Sequence, residues 1–219
     1  MANNIYVVVA RQHRCGSTVL AGILRRLGLY MGQVDNSIDE WQPGGWEIDR
    51  NLEFFCNNLF YNLQDSKSVV VGDNDNQLII PSINYQLPRN TLNTVYSLLK
   101  DRDTYGNWGI RSMYGPIIAK NLSEIGRDVY PIIIDRPLEE SQQSYYDRVS
   151  EGHKPYAFEY IAKWREMTGQ FKWFGKKLEI NFADIFEDTD NTVDKIANFI
   201  ELPTNDYAKA WVNQDWRRY

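Results

Sequence analysis

The apolar positions of this chain fall into two alternating periods. Short runs rich in β-branched residues recur at Ile5–Ala10, Ser68–Val71, Trp108–Ser112, Val129–Asp135 and Lys177–Asn181. Such runs predict buried strands. Between and after them, apolar residues return every three or four positions, which predicts amphipathic helices. These cover Thr18–Leu29, Ile48–Leu63, Asn90–Lys100, Pro116–Ile125, Leu138–Val149, Ala157–Phe171, Thr192–Ile200 and Asp206–Val212. Short strands alternating with helices predict an α/β fold: a central, mainly parallel sheet with helices on both faces. Asp35–Gly45 and Asp73–Arg89, rich in Asn, Asp, Gln, Gly and Pro, read as loops.

Ligands of open parallel sheets bind beyond the carboxyl ends of the strands. Three polar clusters sit just there: Arg11–Thr18, Arg111–Ser112 and Asp135–Arg136. The first is the most informative. A strand, Ile5–Ala10, runs into a polar turn, and the turn opens a helix carrying Leu20, Ile23, Leu24 and Leu27 on one face. That arrangement aims amide N–H groups and the positive end of a helix dipole at one point. Arg14, Ser17 and Thr18 add a cation and two hydroxyls, so a phosphate or sulfate group is the expected guest. An ordinary helix N-terminus with a serine cap is the alternative reading of the same residues.

Composition narrows the classes. With 219 residues and 43% hydrophobic content, residues 1–219 are expected to form one domain. The formal net charge of -5 argues against a general nucleic-acid binder. No apolar run reaches bilayer length and no basic-then-apolar leader opens the sequence, so a soluble cytoplasmic protein with no membrane partner is expected. Two cysteines, Cys15 and Cys56, make no disulfide framework. No repeat or convincing metal-ligand cluster is present.

Two familiar phosphate loops fail to match. Walker A requires glycine, four residues, then Gly-Lys and a hydroxyl residue; here Ser17 follows Gly16. A phosphatase loop requires arginine six residues after cysteine, and Ala21 stands six after Cys15.

The stretch His13-Arg14-Cys15-Gly16-Ser17-Thr18, between its strand and Leu20-Ala21-Gly22-Ile23-Leu24, resembles the 5′-phosphosulfate loop of sulfotransferases that use 3′-phosphoadenosine 5′-phosphosulfate (PAPS). Bacterial-type members carry a His-Arg-Ser-Gly-Thr-Ser version, with Cys15 here in the small-residue place. Gly28–Gly32 is similar to their helix exit. A second match lies at Tyr130–Pro137, a strand and turn ending in Asp135-Arg136-Pro137, with Ser144 eight residues after Arg136. The family's 3′-phosphate site has an arginine and a serine at that spacing. A helix there would put Ser141, Ser144 and Arg148 on one face. Supporting similarities are Pro43-Gly44-Gly45-Trp46-Glu47 with Asn51 and Asn57, Trp108-Gly109-Ile110-Arg111, and Leu178–Pro203. The second departs from the family's W-G-x-K-D-P-R, with Arg111 for lysine and Ser112-Met113-Tyr114 for D-P-R.

The resemblance implies a P-loop-like three-layer fold and sulfuryl transfer from PAPS, without a metal, to a hydroxyl or amine of a small-molecule or glycan acceptor. It implies that His13, Arg14, Cys15, Gly16, Ser17, Thr18, Arg136 and Ser144 hold the nucleotide, with Arg14 also stabilising the leaving oxygen. Many members place a histidine base where Met113 stands. Glu47 is the first candidate for that duty here, with Asp49 and His13 behind it, and His153 is expected in a solvated loop. Trp41 and Trp46 are candidates to line an acceptor cleft, and Asp215–Tyr219 to cover the nucleotide. A nucleotide kinase drawing a magnesium carboxylate from Asp73 or Asp135, and a non-catalytic nucleotide-binding protein, stay open as alternatives.

Overall fold

The computed structural model describes residues 3–32, 34–35, 48–49, 68–73, 76–82, 97 and 99–218. The first strand, β1 (Ile5–Ala10), is buried along its whole length. A strand buried on both faces must be covered by helices on both, and the side chains divide accordingly. Ile5, Val7 and Val9 pack on one side with α2 (Gly115–Glu124) and α4 (Ala157–Gly169). Tyr6, Val8 and Ala10 pack on the other with α1 (Ser17–Arg26) and α6 (Thr189–Ile200). Burying a Val or Ile side chain contributes about 1.5–3 kcal/mol, so this strand anchors both layers.

Four strands form the central sheet in the order β6 (Trp108–Arg111), β1, β7 (Val129–Asp135), β8 (Leu178–Asn181). All three pairings are parallel. The fold is therefore the expected α/β architecture, a parallel sheet between helical layers. Pro131 lies inside β7, where a missing N–H would break a ladder. Ile134 points its carbonyl toward β1, to the Arg11 amide at 3.1 Å. Strand alternation then turns Pro131 toward β8, whose pairing begins only at Ile132.

Several expectations need correction. Ser68–Val71 does not join the parallel sheet. Its residues form β4 (Val69–Val71), antiparallel to β5 (Leu78–Ile80), in a separate two-stranded ribbon. β5 lies in a stretch expected to be loop. The connection explains both: Gly72, at φ 109°, and an Asn76 amide bond to the Asp73 carbonyl at 2.8 Å turn the chain back at once. A parallel neighbour would need a longer crossover. Ile48–Asp49, expected to begin a helix, is strand β3, paired with β2 (Val34–Asp35). Most of the two expected helices 48–63 and 90–100 lies outside the described residues. Helix α1 stops earlier than its apolar pattern because Gly28 takes φ 97°. Bonds from the Gly28 and Leu29 amides to Arg25 and Leu24 close the end. Helix α3 (Leu138–Tyr146), expected to run to Val149, ends three residues earlier, and the short α5 (Phe182–Glu187) was not foreseen.

The C-terminal segment closes over α1. Asn205 caps α7 (Asp206–Trp211), accepting from the Ala208 amide at 2.8 Å, and donates to the Arg26 carbonyl at 3.0 Å. Trp211 lies against Gly22, and the Arg26 guanidinium sits 3.9 Å from the Trp211 ring centre. A Cβ at Gly22 would enter that ring. Helix propensity alone favours Gly→Ala by about 1 kcal/mol, whereas overpacking costs about 1–3 kcal/mol. Gly22→Ala is therefore expected to lower stability in urea denaturation, and to do so less in a Trp211→Leu background. A stabilised Gly22→Ala protein would mean that the Trp211 contact does not constrain α1.

Candidate functional site

The parallel sheet brings the carboxyl ends of β1, β6 and β7 to one edge. From β1 the chain enters the loop Arg11–Gly16. Its first anchor is the Arg11 amide on Ile134; the Thr168 hydroxyl also donates to the Arg11 carbonyl. Gln12 is fully buried. Its side-chain NH2 donates to the Arg136 carbonyl at 2.7 Å and to Ser141 Oγ at 2.9 Å, and its Oε1 accepts from Arg165 Nη1 at 2.9 Å. Arg14 at φ 65° and Gly16 at φ 94° bend the loop through the left-handed region. Gly16 must be glycine for a second reason: a Cβ would meet the Phe182 ring. Gly16 offers α1 no capping side chain, and the first turn holds no acidic residue. The positive end of the helix dipole is left for a guest.

Three guanidinium groups surround this turn. Arg111, at the end of β6, donates from Nη2 to Thr18 Oγ1 at 3.0 Å and Ser17 Oγ at 3.4 Å. Arg14 Nε donates to Ser144 Oγ at 3.4 Å, on α3. Arg136, at the end of β7, is only 7% exposed. It donates to the Arg14 carbonyl at 3.2 Å and the Arg217 carbonyl at 3.4 Å, and lies 4.4 Å from the Phe182 ring centre. Asp135 is held by Arg165 through two bonds, at 2.6 and 2.9 Å. Arginine donors, hydroxyls and helix amides form a set suited to a ligand with more than one anionic group.

His13 and Cys15 face away from ordinary ionic duty. The His13 ring packs among Tyr145, Tyr160 and Trp164, with Tyr160 Oη 3.1 Å from Nε2. Burial, reinforced by the Arg111 charge, lowers its pKa from 6.5 to about 4, so the ring is neutral at neutral pH. Burial pushes the Cys15 thiol up to about 11, against the opposing pull of nearby backbone N–H groups. Its side chain belongs to the core beneath α1, and only its main chain belongs to the loop. A protonated, buried thiol is no nucleophile.

The eight residues expected at the nucleotide site therefore come together: His13, Arg14, Cys15, Gly16, Ser17 and Thr18 in the loop and first turn, Arg136 and Ser144 beside them. Glu47, Trp41 and Trp46 lie outside the described residues, and Asp49 is described only as backbone in β3. His153 sits in a 3-10 turn with Ser150 Oγ 2.7 Å from its Nδ1. Pro137 precedes the first turn of α3 instead of entering it, and Arg148 falls beyond the helix end. Gln12 and Arg111 stood within the polar clusters expected at this edge but were given no role, and Arg165 was missed. Arg111 carried a signal, its place at the end of a strand. Gln12 and Arg165 carried none, since nothing in their spacing announces a pair separated by 153 positions. Among the described residues, no group of three or more His, Cys, Asp or Glu is placed to hold a metal, and no helix is long and apolar enough to cross a membrane.

No family model matches the sequence, and no curated protein matches it. Solved structures do. The sulfotransferase domain of the Synechococcus PCC 7002 olefin synthase is 14% identical with a TM-score of 0.54, covering 99% of this chain and 79% of that one. The sulfotransferase domain of the curacin biosynthetic pathway is 14% identical with a TM-score of 0.51, covering 95% and 77%. A sugar kinase from Janibacter sp. HTCC2649 is 10% identical with a TM-score of 0.48, covering 97% and 99%. The first two likenesses are of fold: this chain has a sulfotransferase-like, P-loop-like α/β fold.

The lowered His13 pKa has a stability consequence. The folded protein disfavours the imidazolium, so the unfolded chain takes up the proton more readily. Stability present above pH 6.5 should decline as pH falls toward about 4, and this part should level off below. In urea titrations across that window, His13→Gln should remove that part of the slope. Equal slopes in parent and variant would show that His13 titrates normally.

Proposed function

We propose that this chain is a PAPS-dependent sulfotransferase, transferring a sulfuryl group to a hydroxyl or amine of a small-molecule or glycan acceptor. The observation that carries the reading is the joining of two sequence motifs at one sheet edge. The loop Arg14–Thr18 and the Arg136–Ser144 pair touch through Arg14 Nε to Ser144 Oγ and Arg136 Nη1 to the Arg14 carbonyl. Two anion-binding sets at that proximity suit a nucleotide phosphorylated at both 3′ and 5′ positions. The fold shared with sulfotransferase domains supports the same reading.

The donor's chemistry is an activated sulfuryl group on a phosphate oxygen. The protein's part is electrostatic and positional. In this reading Arg136, with Ser144, takes the 3′-phosphate. Ser17, Thr18 and the amides at the start of α1 hold the 5′-phosphate, with His13 and the Cys15 and Gly16 main chain shaping the turn around it. Arg14 and Arg111 set positive charge where the leaving oxygen becomes more negative, so they stabilise the transition state more than the ground state. Arg111 already orients both loop hydroxyls. Glu47 is assigned the acceptor's proton on sequence grounds. Supporting that, the two residues after it form β3, which lies beside β6.

Two variants separate the roles. Losing a charge-assisted hydrogen bond costs about 1.5–3 kcal/mol, so Arg136→Ala should weaken adenosine 3′,5′-bisphosphate roughly tenfold or more. AMP should bind nearly as before, which also reports an intact fold. Arg14→Ala should lower turnover of an acceptor, found by screening with labelled PAPS, by about 10²–10³. Equal losses of bisphosphate and AMP would overturn the 3′-phosphate assignment; unchanged turnover at saturation would confine Arg14 to binding.

A further inference from the structure

Arg136 is pinned unequally on its different sides. It lies against the Phe182 ring and donates to two main-chain carbonyls, those of Arg14 in the loop before α1 and of Arg217 in the C-terminal 3-10 turn. These partners are uncharged main-chain groups. Its Nε edge instead donates to Glu140 Oε2 at 3.0 Å, across one turn from Arg136. The Arg136 side chain is 7% exposed, whereas that of Glu140 is 54% exposed. The neighbouring carboxylate, Asp135, is committed elsewhere, to two bonds from Arg165 and one from the Arg136 amide. Among the described residues, Glu140 is thus the partner of the guanidinium that is both charged and able to swing into water.

We propose that Glu140 is the displaceable counter-ion of the Arg136 site: its carboxylate competes with the nucleotide's 3′-phosphate for the Nε edge, weakening the bisphosphate and speeding its release. The proposal rests on the functional reading given above. A phosphomonoester dianion offers three terminal oxygens to a planar fork and outcompetes a single carboxylate. Both anions on one edge would repel. A half-exposed ion pair is weak, so Glu140 yields at small cost. It nevertheless lowers net affinity, because the pair must be broken for the phosphate to bind and its re-formation, with the repulsion between the two anions, helps the phosphate leave. A nucleotide with a bare 3′-hydroxyl leaves the pair intact and is indifferent to it. For a transferase that ends each cycle holding a bisphosphate, a competitor of this kind favours turnover, since release of product limits many such cycles.

The test is Glu140→Gln, which keeps the size and removes the charge. Affinities for adenosine 3′,5′-bisphosphate and AMP are measured by calorimetry, with dissociation rates by stopped flow and melting curves as a control of folding. The variant should bind the bisphosphate about threefold to fivefold more tightly, through slower dissociation, with AMP within twofold of the parent. A weaker bisphosphate would mean that Glu140 serves to aim Arg136, and would overturn the proposal. So would unchanged affinity in a variant whose parent prefers bisphosphate to AMP. If neither parent nor variant prefers the bisphosphate, the 3′-phosphate reading falls and this proposal with it.

Discussion

The site depends on one buried amide. Gln12 sits in the loop after β1 yet bonds to the turn after β7, to α3 through Ser141 and to α4 through Arg165. Three regions far apart in sequence are located by a single side chain. A buried hydrogen-bonding group left without its partner costs about 1–3 kcal/mol, and here several would be left at once. The constraint fixes where the Arg136 carbonyl lies and, through it, the start of α3. Ser144 is thereby presented to Arg14. The two halves of the proposed nucleotide site are in register because Gln12 holds them so.

Around that amide the charge pattern inverts the chain's own balance. The protein carries a formal net charge of -5, yet Arg11, Arg14, Arg111, Arg136 and Arg165 all belong to or brace this one edge. A cationic edge on an acidic body attracts anionic ligands locally and disfavours long polyanions elsewhere. The cations do not act alike. Arg165 is neutralised by Asp135 and serves as scaffold, whereas Arg111 donates to the Ser17 and Thr18 hydroxyls. Neutral His13, in its aromatic surroundings, adds no charge to the set.

The β-branched runs of β1 and β7 announced their strands to the residue, because a strand buried on both faces has no choice but continuous apolarity. The motif spacing singled out the Arg14–Thr18 loop and Arg136–Ser144, which the fold brings into contact. What stayed hidden depends on long-range contact. Val69–Val71 has the composition of a sheet strand, and only the tight turn at Gly72 makes it half of a separate ribbon. Cys15 stood in a binding motif, but its thiol packs under α1 while its main chain stays in the loop. Gln12 and Arg165 looked like ordinary polar positions until the fold brought them together. Glu47 rests on sequence alone, since it lies outside the described residues.

The central claim is that this sheet edge is built for two anionic groups on one nucleotide. Titration calorimetry of the unaltered protein with adenosine 3′,5′-bisphosphate, AMP and ATP, in chelator and without magnesium, tests it most directly. The account predicts that the bisphosphate binds at least about tenfold more tightly than AMP or ATP, the difference expected of one charged phosphate pairing. Tighter binding of ATP, or no preference among the three, would contradict it.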